Sequence, residues 1–251
     1  MKLFVCVYDD ARLLPHFTRH YKRFGVSEFH IAAPPHLADD IVRYATGYDV
    51  RQYNQFDVAD SFTGGVAAVT AMRELAQAPN EAVVIVDLDE FVEFDAPVTA
   101  IVARMDAEGA NVARGIMFDR FAASGQPVPF DDDSDLPTLY PIRARFTRDV
   151  MGGVDVKGVV VRGRLKSQGA HHYFENERIF STTYEISHFK WNERSLGRVG
   201  EAYETLSALG IPWAWQYKRI LDHYEAHGRF AWETFGGEFV AAPTPDRPFV
   251  A

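Results

Sequence analysis

The chain has 251 residues, with 26 Lys and Arg against 35 Asp and Glu, for a formal net charge of −9. That balance excludes a general nucleic-acid binder, whose affinity for a phosphate backbone comes from clustered basic side chains. A composition that is 47% hydrophobic and 14% aromatic supplies a core and excludes disorder for the bulk of the chain.

The first half alternates short β-rich runs with helical patterns, which predicts a parallel sheet covered by helices and hence an α/β fold. Leu3 to Tyr8 reads as the first strand of a cytoplasmic protein, too short and too quickly followed by Asp9 and Asp10 to be a secretory signal. The lone cysteine, Cys6, lies in this apolar run and reads as a buried, inert thiol; it excludes an internal disulfide and a cysteine metal cage. From 11 to 24, Leu14, Phe17, Tyr21 and Phe24 recur at helical spacing until Gly25 stops the helix. A strand is expected over 28–33, a helix over 37–44, a short strand over 49–53 and a helix over 61–76 capped near Ser61. Ala82 to Val86, β-branched without polar alternation, reads as a strand buried on both faces. A helix over 98–108 and a strand over 112–118 follow, then a Pro- and Asp-rich loop over 124–141 whose Asp131, Asp132, Asp133 and Asp135 read as solvated. Strands are expected over 156–162 and 182–189, helices over 195–209 and 213–227, and a loose Pro-rich tail over 243–251. No stretch approaches the ~20 apolar residues of a membrane span.

Chemistry concentrates at the end of the 82–86 strand, where Asp87, Asp89 and Glu90 stand close together. Ligands of open parallel sheets bind beyond the carboxyl ends of the strands. Three neighbouring carboxylates repel one another, and a divalent cation with hard oxygen ligands, Mn²⁺ or Mg²⁺, relieves that repulsion. In a continued strand Asp87 and Asp89 share a face and Glu90 points elsewhere; the plainer reading makes all three solvated charges at a strand end. A second string, Ile186 to Asn192, puts His188 and Lys190 two apart, so that a metal ligand and a phosphate-neutralising ammonium face one way; its plain reading is an aromatic strand end. A third runs from Asp155 through Lys157 to Arg162, with His171 and His172 downstream. Adjacent strand residues face opposite ways, which counts against one zinc ion held by both histidines.

Leu14-Pro15-His16-Phe17 to His20-Tyr21, Phe24 to Ile31, and above all Val86-Asp87-Leu88-Asp89-Glu90-Phe91 resemble the family-2-like glycosyltransferases, including the branch related to glycosyltransferase family 92. Phe118 to Gly125 is similar to that family's acceptor-side segment, Lys157 to Arg162 with His171 to a later stretch, and His188 to Lys190 to its late His/Lys string. The resemblance spans about residues 3 to 195. It implies a GT-A-like (Rossmann-like) mixed sheet flanked by helices over 1–194, with a helical segment over 195–242 packed on it. It also implies transfer of a sugar from a nucleotide-diphosphate sugar, UDP-sugar favoured, to a glycan or other hydroxyl acceptor. Tyr8-Asp9-Asp10 departs from the family's usual string after the first strand, and Ala32-Ala33-Pro34 lacks its polar base-recognition string.

On that resemblance Asp87, Asp89 and His188 hold the metal. Tyr8, Asp10, Arg73, Asp87, Lys157 and Lys190 contact the donor. Asp119 is the first candidate for the base that deprotonates the acceptor; Glu90 is the second, or else an anchor beneath the metal, and Asp155 is a third. A non-catalytic glycan- or partner-binding protein on a degenerate transferase fold is the main alternative. A metal-dependent phosphatase is another, disfavoured by Phe91 where that chemistry wants Thr or Val. Tyr203, Trp213, Trp215, Tyr217 and Tyr224 on the last two helices suit packing, an acceptor platform or an interface.

Overall fold

A computed structural model describes residues 1–8, 10–45, 47–53, 64–78, 80–163, 165–168, 171–174 and 177–240, the side chains of 64–66, 165–168 and 171–174 excepted. The elements run β1 (Lys2–Cys6), α1 (Leu14–Arg23), β2 (Glu28–Ala32), α2 (Ala38–Tyr44), β3 (Val50–Tyr53), α3 (Gly64–Leu75), β4 (Ala82–Ile85), β5 (Glu90–Glu93), α4 (Val98–Ala107) and β6 (Val112–Phe121). After these come α5 (Leu136–Leu139), β7 (Ile142–Ala144), α6 (Phe146–Asp149), β8 (Val156–Arg162), β9 (Leu165–Gln168), β10 (His171–Phe174), β11 (Ile179–His188), α7 (Ser195–Ala208), α8 (Ala214–His227) and β12 (Glu238–Phe239). The architecture is mixed α/β, with a central mixed sheet flanked by helices. Among the described residues no helix is long and apolar enough to cross a membrane. The expected cap at Ser61 and the tail over 243–251 lie outside the described residues.

Two compact units make up the chain, the first formed by Met1–Ile116 and Val156–Ile186, the second by Met117–Asp155 and Ser187–Arg247. In the first, parallel strands stand in the order β3-β2-β1-β4, and β8 continues the sheet antiparallel to β4. Consecutive strands thus step outward from β1 through β2 to β3, and the chain then returns to the other side of β1 as β4. Leu3, Phe4, Val5, Val83, Val84 and Ile85 are all buried, as the unbroken apolar runs require of strands covered on both faces. Each such side chain contributes about 1.5–3 kcal/mol of transfer free energy. Phe4, Cys6, Met72, Val69 and Ile85 form one core under α3. On α1, Pro15 sits in the first turn, where its missing N–H is harmless, and Gly25 takes a φ of +83° just past the end. Leu14, Phe17 and Tyr21 make the buried stripe.

In the second unit, Asp119–Phe121 of β6 pairs with β7, and β7 with β12, all antiparallel. Its core gathers Phe121, Ile142, Phe146, Trp191, Ile220 and Phe230. Tyr217 and Tyr224 of α8 pack against that core, whereas Trp213 and Trp215 stay 38% and 47% exposed. The loop expected over 124–141 contains the short helix α5, and Asp131, Asp132 and Asp133 are exposed as the sequence implies. Gly125 has a φ of +72°, and a Cβ there would lie 2.3 Å from the carbonyl oxygen of Phe230, so this glycine answers a close backbone approach.

Candidate functional site

In the first unit the order of parallel strands reverses between β1 and β4, and the crevice beyond their carboxyl ends is where such sheets bind ligands. β1 delivers Tyr8 there and β4 delivers Asp87 and Asp89, all three half-buried. β4 stops at Ile85, so the acidic string continues as a turn and not as strand. The Glu90 amide donates to the Asp87 carbonyl (3.1 Å), and the Glu90 side chain folds back to accept the Asp87 amide (2.9 Å). Glu90 is 1% exposed.

The buried charge of Glu90 is met by Lys157. Extending the β4–β8 register from Val84↔Val160 brings Lys157 opposite Asp87. Its Nζ lies 2.7 and 2.9 Å from the two Glu90 oxygens and 3.0 Å from Asp87 Oδ2. Burial disfavours the ammonium, but Asp87 and Glu90 outweigh it and hold its pKa above the usual lysine value. From α1, the Tyr21 hydroxyl donates to the Glu90 carbonyl (2.8 Å) and accepts from the Val92 amide (3.0 Å). Burial, then the nearby Cys6, Asp87 and Asp89, keep the Tyr8 phenol protonated. Burial and then Asp87 push the Cys6 thiol up to about 12, against a hydrogen bond from Tyr8 that lowers it.

These placements correct several expectations. Glu90 is no acceptor base: its carboxylate is spent on an ammonium and a backbone amide, beneath the turn. Lys157 is equally enclosed, with a side chain 1% exposed, and braces the turn instead of reaching a donor phosphate. Asp10 accepts the Arg12 amide (3.1 Å) and guanidinium (2.8 Å), so its charge is taken up within its own segment. Arg73, expected to contact the donor, is 3% exposed. It donates to the carbonyls of Gly163 (2.8 Å), Glu81 (3.4 Å) and Ala78 (3.5 Å), which lie at the amino end of β4, the opposite end from Asp87. A cavity of about 520 Å³ also opens at that amino end, and its Lys2 and Glu81 are paired at 2.9 Å.

Asp119, His188 and Lys190 belong to the second unit. Asp119 is completely buried and accepts four hydrogen bonds: the Thr147 amide (2.7 Å), the Trp191 indole (2.8 Å), His188 Nδ1 (2.9 Å) and the Thr147 hydroxyl (3.1 Å). Burial alone would raise its pKa, but His188, Thr147 and Trp191 together carry it below the ordinary carboxylate value. An ionised, enclosed acceptor of four donors has no place for a substrate proton, which removes Asp119 as the acceptor base. Its hydrogen bond fixes the His188 tautomer with the proton on Nδ1. Asp155, 6% exposed, is paired with Arg145. The Lys190 ammonium stands 5.7 Å from the centre of the Trp191 ring. Among the described residues no three His, Cys, Asp or Glu side chains converge to hold a metal; His188 belongs to the second unit, Asp87 and Asp89 to the first. His171 and His172 lie on β10, whose side chains are outside the described residues. Sequence reasoning missed Arg12, Tyr21, Thr147 and Trp191; only the aromatic string around Trp191 carried a signal.

No protein-family model and no curated protein matches the sequence. Among solved structures the chain is similar to a 4-diphosphocytidyl-2C-methyl-D-erythritol synthase, at 16% identity and a TM-score of 0.33, over 53% of this chain and 70% of that one.

Asp87 and Asp89 still suit a divalent cation by donor chemistry. Two half-exposed carboxylates on one turn are the protein share that Mg²⁺ takes when it keeps waters and binds substrate phosphate.

Proposed function

We propose that the protein is a metal-dependent glycosyltransferase that moves a sugar from a nucleotide-diphosphate sugar, UDP-sugar favoured, to a hydroxyl of a glycan or other acceptor. The observation that carries this reading is the pair of half-exposed aspartates at the carboxyl end of β4, beside Tyr8 of β1, where the parallel strand order reverses. The resemblance of the acidic string to family-2-like glycosyltransferases supports the same reading.

Asp87 and Asp89 would hold Mn²⁺ or Mg²⁺. Such an ion, when bound, is a Lewis acid for charge developing on the departing diphosphate. Tyr8 stays a neutral phenol beside the aspartates. Glu90, Lys157 and Tyr21 fix the turn that presents them, which limits the motion to be frozen when the donor arrives.

Thermal shift with nucleoside diphosphates and their sugars, with and without Mn²⁺, tests the reading. A ligand that binds only the folded state raises stability by RT ln(1 + [L]/Kd). The expected result is nucleotide stabilisation that needs Mn²⁺ and disappears in Asp89→Ala; stabilisation indifferent to both sinks it. The occupied state of Asp119, Glu90 and Asp155 favours a second reading, a nucleotide- or glycan-binding protein without turnover. Mn²⁺-dependent nucleotide binding with no sugar release from any donor selects it.

A further inference from the structure

We propose that Lys157 and Glu90 are positioning residues for metal capture: their buried ion pair aims Asp87, and without it the turn binds a divalent cation weakly. This rests on the reading of Asp87 and Asp89 as the residues that hold the cation.

The geometry separates a sealed layer from an open one. Lys157 and Glu90 each have side chains 1% exposed, while the Asp87 side chain is 45% exposed. Two bonds tie the open residue to the sealed pair, from Lys157 Nζ to Asp87 Oδ2 (3.0 Å) and from the Asp87 amide to Glu90 Oε2 (2.9 Å). One restrains the Asp87 side chain and the other its backbone. The Glu90 carbonyl is pinned in turn by Tyr21 (2.8 Å). Groups that orient a metal-binding carboxylate typically alter metal affinity 10- to 100-fold when removed.

Charge and positioning can be separated. Asp87, Asp89, Glu90 and Lys157 together carry two net negative charges. The double variant Lys157→Met with Glu90→Gln leaves Asp87 and Asp89, again two net negative charges. It removes both buried ions together, which folded proteins tolerate far better than losing one. A change in cation affinity in this variant therefore reports aim and not field.

The experiment is a Mn²⁺ titration followed by the electron paramagnetic resonance signal of the free ion, with the metal-free melting temperature measured on the same samples. The double variant is expected to melt near the wild type and to bind Mn²⁺ 10- to 100-fold more weakly; wild-type affinity in the folded variant overturns the proposal. If the double variant does not fold, Glu90→Asp serves: all four charges stay, and a carboxylate shortened by one methylene no longer reaches both Lys157 Nζ and the Asp87 amide, so at least about a tenfold loss is expected, and unchanged affinity again overturns the proposal. A wild-type chain that takes up no Mn²⁺ overturns the functional reading and this inference with it. Wild-type uptake with an indifferent variant overturns only the inference.

Discussion

Replacing Asp119 by Asn should unfold the second unit more readily before it touches any chemistry. Oδ1 receives His188, Trp191 and the Thr147 hydroxyl, and Oδ2 receives the Thr147 amide. An asparagine that keeps its carbonyl toward the three donors turns its NH₂ toward the Thr147 amide, a meeting of two donors. The orphaned buried N–H costs about 1–3 kcal/mol, and converting three charge-assisted bonds to neutral ones costs roughly 1 kcal/mol each. The sum, about 4–6 kcal/mol, is a large share of the roughly 5–15 kcal/mol that holds a domain together. At about 2–4 °C per kcal/mol for chains of this size, the midpoint falls by more than about 8 °C. All four tryptophans, Trp191, Trp213, Trp215 and Trp232, lie in the second unit, so intrinsic fluorescence during urea unfolding follows that unit. Acidity supplies a second reading of the same bond set. The folded carboxyl is depressed below the unfolded value of about 3.9. Its stabilisation is therefore present above that pH and is lost as pH falls through the folded pKa, a limb the Asn variant should lack. A variant with the wild-type midpoint and abolished turnover refutes this reasoning and restores Asp119 as a catalytic base.

Arg73→Met should lower the thermal midpoint by the equivalent of about 1–3 kcal/mol, because it strips donors from enclosed carbonyls at the amino end of β4. Nucleotide-induced stabilisation should be unchanged; lost nucleotide binding at constant midpoint would show that Arg73 reaches the donor after all. His20, whose Nε2 bonds the Val92 carbonyl at 2.9 Å, is pushed down to about 3 by burial and by Arg23, with Val92 opposing. The unfolded chain protonates this residue near 6.5 and the folded one does not, so stability is full above 6.5 and declines as pH falls toward 3, by at most about 1.4 kcal/mol per unit. His20→Gln should flatten that slope, and parallel midpoint-versus-pH curves for the two proteins would dismiss the account.

Apolar periodicity made the sheet of the first unit legible. Val83 to Val86 lack polar alternation and are buried throughout, and the acidic string falls at the strand end where it was expected. What periodicity could not reveal was which charge meets which. Lys157 and Glu90 are 67 positions apart, and Asp119 and His188 are 69 apart, so their pairing is decided by strand order and register. Arg73 misled because helical spacing cannot show that the carbonyl of Gly163, 90 positions on, comes within its reach. The short strands β7 and β12 went unread because two or three residues complete no recognisable period. Their pairing comes from neighbours in space.

Cys6 has a practical consequence for work on this protein. The chain's single thiol is 3% exposed and held near a pKa of about 12, so at neutral pH virtually none of it is the thiolate that maleimides and iodoacetamides attack. The native protein should thus behave toward those reagents as though it had no cysteine. A thiol introduced on the surface, at the exposed Leu209 for instance, would carry a fluorophore or spin label without background and without altering β1.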